Sequence, residues 1–219
     1  NKNMKDTYRH KGMRRRLIEE LAKKGITDKA VLEVMNTIPR HFFLDNAFEE
    51  MAYQDKAFAI GEDQTISQPY TVAFQTQLLE VQKRDKILEI GTGSGYQASV
   101  LAMLGARVFT IERIKILHLK AKNIFEILQL KGIRSYFKDG YKGLAEFSPF
   151  DKIIITAAAP EIPPRLIEQL KVGGYMIIPY GNQDEGQKMM RLTKLSEEGA
   201  LKEEIFGNFR FVPMLKGKR

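Results

Sequence analysis

Hydrophobic positions along this chain change their spacing several times, and each change marks an element. Over residues 6–24, Met13, Leu17, Ile18 and Leu21 recur at helical spacing, with Arg14, Arg15, Arg16, Glu19 and Glu20 mostly on the other side. That spacing predicts a helix, and Gly25 suits its end. Thr27 and Asp28 can start a second helix carrying Val31, Leu32, Val34 and Met35, which Pro39 stops. Over residues 46–61 no period holds, so a loop with short pieces is expected. Pro69 then suits the opening of a helix through Val72, Phe74, Leu78 and Val81. From residue 86 the pattern alternates. Short apolar runs at 86–90, 107–111, 134–138, 150–156 and 174–179 read as buried strands. Amphipathic stretches at 96–104, 115–130 and 162–170 read as the helices between them. Such alternation predicts an α/β fold, a parallel sheet with helices on both faces and right-handed crossovers. Residues 188–195 and 201–212 read as a terminal antiparallel pair around Glu197-Glu198-Gly199.

The first of these strands runs straight into Gly91, Gly93 and Gly95, and a helix follows. Strand, glycine turn and helix open a nucleotide-binding unit, because glycine lets the backbone bend sharply and a ligand approach without meeting a Cβ. The spacing separates two cofactors. A dinucleotide fingerprint places its third glycine where this chain has Tyr96, and a pyrophosphate disfavours an acid such as Glu89 nearby. S-adenosylmethionine carries no phosphate and has an ammonium and a sulfonium, so an acid is tolerable or useful. Glu112, at the end of the second strand, stands where a ribose-binding carboxylate belongs; read blandly it is a surface residue. Asp139, followed by Gly140, ends the third strand at the edge that faces a ligand crevice. It can accept from an adenine amino group or serve as a turn residue. Residues 157–160, Ala-Ala-Ala-Pro, leave room for a substrate or for a tight crossing. Ser67 precedes a helix start, which is either an anion-favouring site or an ordinary capping region.

At 219 residues one domain is expected, with residues 1–60 a helical extension. Without cysteine there is no disulfide, thiol nucleophile or Cys-based metal site. No apolar run is long enough to span a membrane, and the N-terminal residues are charged rather than signal-like, so a cytoplasmic protein is expected. The net charge of +8 is concentrated at the ends, leaving 23 basic and 24 acidic residues between 25 and 215. No aromatic residues interleave the basic run as a base-stacking surface needs, and a nucleic-acid partner is not expected. His41, beside two phenylalanines, reads as packed rather than as a base.

With these residues in view, the chain resembles the protein-L-isoaspartate (D-aspartate) O-methyltransferases over nearly its whole length. The likeness rests on Q-T-I-S-Q-P-Y at 64–70, L-E-I-G-T-G-S-G-Y-Q at 88–97, T-I-E-R at 110–113, T-A-A-A-P-E-I-P-P at 156–164 and L-K-V-G-G-Y-M-I-I-P at 170–179. The resemblance implies a Rossmann-like class I methyltransferase with a mostly parallel seven-stranded sheet and one antiparallel strand. It implies S-adenosyl-L-methionine as donor, no metal, and damaged proteins containing isoaspartyl, or D-aspartyl, residues as partners of a monomer. Ser67 would be the active-site serine. The backbone of Gly91, Thr92, Gly93, Ser94 and Gly95 would seat the methionine part, Glu112 the ribose, and Asp139 with Gly140 the adenine edge. Ala158 and its neighbours, with Val212, would wall the substrate side. One departure stands out: where the family has G-x-G before Q-T-I-S, this chain has Gly61-Glu62-Asp63, and Asp63 is expected to hold a glycine-like conformation.

The chemistry needs no base. A carboxylate, with a pKa near 4, is already ionised at neutral pH. That suits a chain whose three histidines, His10, His41 and His118, lie outside these motifs. Two other uses of such a fold fit less well. An NAD enzyme is disfavoured by Tyr96, and an adenine-amino methyltransferase lacks its (N/D)-P-P-(Y/F) segment, the nearest being Ile162-Pro163-Pro164-Arg165. A binding module that had lost catalysis would not keep both Glu112 and Ser67.

Overall fold

The computed structural model describes residues 4–181, 184 and 186–219. Two helices come first, α1 (Tyr8–Lys23) and α2 (Lys29–Thr37). Each is started by a side chain that accepts from the first turn: Thr7 from the His10 N–H, and Asp28 from those of Ala30 and Val31. Two 3₁₀ turns, Arg40–Phe43 and Asn46–Met51, lead into a hairpin of β1 (Phe58–Gly61) and β2 (Gln64–Ile66). α3 (Pro69–Leu79) precedes β3 (Lys86–Ile90), α4 (Tyr96–Met103), β4 (Arg107–Glu112), α5 (Lys115–Ile127) and β5 (Ile133–Phe137). Then come β6 (Phe150–Ile155), α6 (Pro164–Gln169), β7 (Leu170–Tyr180), β8 (Gln187–Lys194) and β9 (Leu201–Phe209).

Seven strands form one sheet in the order β5-β4-β3-β6-β7-β8-β9. Only β8 runs against its neighbours, which makes this the mostly parallel sheet with one reversed strand that the resemblance implied. β3 lies between β4 and β6, and its Ile87, Leu88 and Ile90 are buried because helices cover both faces. Leu78 of α3, Leu101 of α4 and Phe125 of α5 fill one side; Leu166 and Ile167 of α6, with Met214, fill the other. Leu17, Leu21, Val31 and Met35 of the first two helices pack onto Val72, Tyr96 and Val100. From β3 the chain steps outward to β5 on one side and then to β7 on the other. The reversal opens a crevice at the C-terminal ends of β3 and β6, where ligands bind in such sheets.

Several elements depart from the pattern. Arg14 is buried rather than outside. Its guanidinium forks onto Asp6 at 3.1 and 2.9 Å and donates to the Tyr53 hydroxyl and the Asn36 carbonyl. Polarity alone assigns a helix face, and it cannot foresee a charge whose partners come from elsewhere in the chain. β7 begins at Leu170, not at 174, so α6 is a short helix. Gly174 permits the close crossing there, since a Cβ would stand 2.6 Å from the Asp151 carbonyl oxygen.

The hairpin between β1 and β2 turns through two left-handed residues, Glu62 at φ 55° and Asp63 at φ 57°. Two-residue turns of this hand favour Asn-Gly. Asp63 therefore does occupy the conformation expected of it, and Glu62 shares it. The Glu62 carboxylate pairs with Arg219 at 2.9 Å. Because a left-handed residue other than glycine carries strain, Asp63→Gly is expected to raise stability by about 1 kcal/mol. Urea denaturation checks this: an unchanged midpoint means the turn is relaxed as it stands.

Candidate active site

The crevice is built from strand ends. An inner cleft of about 540 Å³, its open mouth included, is bounded by the turn after β3, the end of β4, Thr156 and Ala157 after β6, and residues 64–67. Gly91, Gly93 and Gly95 all take positive φ, at 95°, 54° and 89°. A Cβ on Gly91 would stand 2.7 Å from the Thr156 Oγ1, and one on Gly95 would stand 2.7 Å from the Phe125 ring. The glycines thus set the turn and its packing as well as leaving the cleft open. Gly91, Thr92, Gly93 and Ser94 line the cleft, and Gly95 caps α4 behind them. The Ser94 hydroxyl accepts from the Tyr96 N–H at 3.2 Å.

Glu112 is buried at the junction of this cleft with a second pocket lined by Ile90, Arg113, Gly140 and Met214. One carboxylate oxygen accepts from the Gly93 N–H at 2.9 Å, the other from the Ile114 N–H at 3.0 Å. A carboxylate offers about four acceptor positions, so each oxygen keeps one for a hydroxyl of a ligand. Gly140 lines the second pocket, and there is no room for a side chain on it: a Cβ would lie 2.4 Å from the Ile90 Cγ2.

Asp139 serves as a turn residue, one of the two readings its sequence position offered. Its carboxylate accepts from the Tyr141 N–H and from the Gly217 N–H, each at 3.0 Å, so it caps a turn and tethers residues 213–219 beside the pocket. Ala158 lies behind the wall rather than on it. It is buried, its N–H donates to the Val212 carbonyl, and its own carbonyl accepts from Met214, both at 2.7 Å. Ala157 is the residue that faces the cleft, and Ala158 holds Val212 there.

Glu89 is not a counter-charge for a cationic ligand. It is fully buried in the sheet, where the Thr110 hydroxyl donates to it at 2.6 Å and its second oxygen has no partner. Burial pushes its carboxyl up to about 8, so it is held neutral at pH 7. The Thr92 hydroxyl lies 2.6 Å from that of Thr110, linking the glycine turn to this buried pair.

Ser67 is half-buried and sits at the boundary between the inner cleft and an outer groove. The groove runs between Ala57, Gln68 and Tyr70 on one side and residues 206–212 on the other. Thr65, Ser67, Thr156 and Val212 line both spaces and form the collar between them. The Ser67 hydroxyl has no hydrogen-bond partner among the described residues. Thr156 was not singled out from the sequence, although its place at a strand end was a usable signal; its hydroxyl donates to the Ile90 and Gly91 carbonyls at 3.0 and 2.7 Å. Glu62 and Asp63 line neither space.

His41 is packed, as its phenylalanine neighbours suggested. Its ring stacks on His10 at 3.8 Å, accepts from the Tyr53 hydroxyl and donates to the Lys5 carbonyl. Asp6, His10 and His41 bring ligand atoms within 4.8 Å of one another, but Asp6 is held by Arg14 and both imidazoles are fully engaged.

Among the described residues Glu112 is the one charged side chain lining the inner cleft, and no lysine or arginine faces it. A ligand that fits carries hydroxyls for Glu112, tolerates its negative charge and brings no phosphate. S-adenosylmethionine meets all three conditions, and the fold and cleft together define a Rossmann-like methyltransferase that uses it. The comparisons with known proteins agree. The family model for protein-L-isoaspartate(D-aspartate) O-methyltransferase matches residues 12–219, and the chain belongs to that family. A protein-L-isoaspartate O-methyltransferase of Flavobacterium johnsoniae is 55% identical over 215 residues, 98% of this chain and 100% of the relative. One from Cytophaga hutchinsonii is 56% identical over 212 residues, 97% of this chain and 95% of its own. A Plasmodium falciparum beta-aspartate methyltransferase, solved with S-adenosyl-L-homocysteine, superposes with a TM-score of 0.81 at 26% identity, covering 95% of this chain and 99% of that one. Another solved protein-L-isoaspartate O-methyltransferase superposes at 0.83 with 29% identity over 91% of this chain, which spans 65% of the solved one. Among the described residues no helix is long and apolar enough to cross a membrane.

Two predictions follow from the acids. Glu112→Gln places an amide NH₂ against a backbone N–H and is expected to weaken S-adenosylhomocysteine binding about 10- to 100-fold; calorimetry giving wild-type affinity would remove Glu112 from the site. Folded Glu89 titrates at about 8 against an ordinary 4.5, so between these values the folded state holds a proton the unfolded state has lost. Stability therefore falls as pH rises through that window, and Glu89→Gln is expected to abolish this part of the fall. Melting temperatures from pH 4 to 9 test it, and parallel curves for the two proteins would contradict the assignment.

Proposed function

We infer that this chain transfers the methyl group of S-adenosylmethionine to the free carboxylate of isoaspartyl residues in damaged proteins, initiating their repair. The observation that carries the reading is the collar. The Ser67 hydroxyl stands open between a cleft suited to the donor and a groove open to a peptide. When bound, S-adenosylmethionine supplies an electrophilic methyl on a positively charged sulfur. The turn at residues 91–94 would seat its methionine part, Glu112 would receive the ribose hydroxyls, and Asp139 and Gly140, beside Ile90, would hold the adenine edge.

Ser67 donates a hydrogen bond from its hydroxyl to the incoming carboxylate and fixes which oxygen faces the cleft. No residue abstracts a proton, because the acceptor arrives ionised. α3 gives less help than a helix start usually gives an anion, since the Tyr70 N–H is already taken by Asp55 at 2.9 Å. Orientation therefore falls chiefly to Ser67, and holding reactants in line is worth about 7–11 kcal/mol in favourable cases. Thr65, Thr156 and Val212 narrow the collar around the reacting carboxylate. Glu62, turned onto Arg219, is kept from opposing an anionic substrate.

The acceptor is taken to be protein, including D-aspartyl sites as the family's name has it, and not nucleic acid; the near-neutral body of the chain supports this. We read the chain as a monomeric, cytoplasmic, single methyltransferase domain, with residues 1–60 as its helical extension.

Labelled methyl transfer to two peptides, identical except for aspartyl or isoaspartyl at one position, tests the reading. Transfer to the isoaspartyl peptide alone is expected. Ser67→Ala is expected to lower kcat about 10- to 100-fold while leaving S-adenosylhomocysteine affinity nearly intact. Equal transfer to both peptides, or to neither with the cofactor bound, would sink the substrate assignment.

A further inference from the structure

Ser67 does not hold itself in place, and what holds it comes from the N-terminal segment. Arg40, in the first 3₁₀ turn, has no solvent exposure. Its Nε donates to the Ala52 carbonyl at 3.0 Å, and its Nη2 donates to the Lys56 carbonyl at 3.3 Å and to the Ser67 carbonyl at 3.0 Å. The guanidinium lies over the Tyr96 ring, 4.9 Å from its centre, and Nη1 has no partner. Tyr96 is the first residue of the helix that follows the glycine turn. One cation thus touches both the residue that orients the acceptor and the residue that ends the donor's turn.

A second grip lies three residues further on. The Asp55 side chain is 3% exposed; one oxygen accepts from the Tyr70 N–H at 2.9 Å and the other from Lys24 Nζ at 2.6 Å. Its charge also acts on Arg40. Residues 67–70 are therefore pinned at one end by a guanidinium on a carbonyl and at the other by a carboxylate on an N–H. A guanidinium buried without a carboxylate in hydrogen-bond contact is a costly way to fill a core, and an apolar side chain would pack there more cheaply. What it supplies is geometry: a rigid fork that holds two carbonyls of the loop before β1 and the Ser67 carbonyl in fixed relation.

We propose that Arg40, with Asp55, is the positioning device of this methyl transfer: the pair fixes residues 67–70 so that the Ser67 hydroxyl stays aligned with the donor's turn. The inference rests on the role of Ser67 given above. Neither residue lines the cleft or touches the reactants.

Methyl transfer to the isoaspartyl peptide and S-adenosylhomocysteine binding by calorimetry are measured for Arg40→Met, Arg40→Lys, Ser67→Ala and Arg40→Met with Ser67→Ala. A loosened Ser67 is expected to lower kcat about 10- to 100-fold in Arg40→Met. Cofactor affinity should stay within about twofold, and Arg40→Lys, which can still reach one carbonyl, should recover part of the loss. The double variant should be no slower than Ser67→Ala, because both changes act through one hydroxyl. Should Arg40→Met not fold, Asp55→Ala loosens the second grip with Arg40 left in place, and Asp55→Asn, which keeps an acceptor, should restore it. Losses that multiply in the double variant, or cofactor affinity falling in step with kcat, would overturn the proposal; so would wild-type kcat in Arg40→Met, or in Asp55→Ala where it stands in. Wild-type turnover in Ser67→Ala would instead sink the reading of Ser67 itself.

Discussion

The two backbone bonds to Glu112 tie the site together. One joins the carboxylate to Gly93 in the glycine turn, the other to Ile114 at the start of α5. The turn after β3 and the turn after β4 are thereby fixed to each other through a single side chain. A carboxylate is the right group for this, since it accepts on both oxygens and has acceptor capacity left. The glycine turn then rests against Thr156 from the third strand end, with no space for a Cβ between them. Three strand ends converge on one point, and the cleft is what remains between them.

Around this centre the charges are sorted by burial. Glu89, sealed in the sheet, is held neutral, while Glu112, at the cleft, has two N–H donors to support its charge. Both acids stand on neighbouring strands, β3 and β4, yet their environments give them different roles. A similar division separates Arg14, whose buried charge meets Asp6 directly, from Arg40, whose contacts are carbonyls and a ring. The first is a paired ion; the second is a structural fork.

Much of this was legible in the residues. The strands β3 to β6, the helices α3 to α5 and the glycine turn follow from local spacing, because buried parallel strands and amphipathic helices leave a strong imprint on hydrophobic order. Glu112 was found by its register after the second strand, and Ser67 by its helix start together with the family likeness. What escaped depends on partners far away in the chain. Nothing near Arg40 in sequence announces Ser67, and nothing near Asp139 announces Gly217. Ala158 and Ala157 are the same residue type in one run, and only the backbone pairing with Val212 decides which of them faces inward. Asp63 was the exception: a non-glycine at a glycine position could be read directly as a left-handed turn residue.

Residues 212–219 close the pocket from outside the sheet, held by Ala158, Arg113 and Asp139. They are synthesised after every strand of the sheet. During translation the glycine turn, Glu112 and Ser67 all emerge well before the segment that walls them in. A chain folding from its N-terminal end completes the sheet before it completes the pocket.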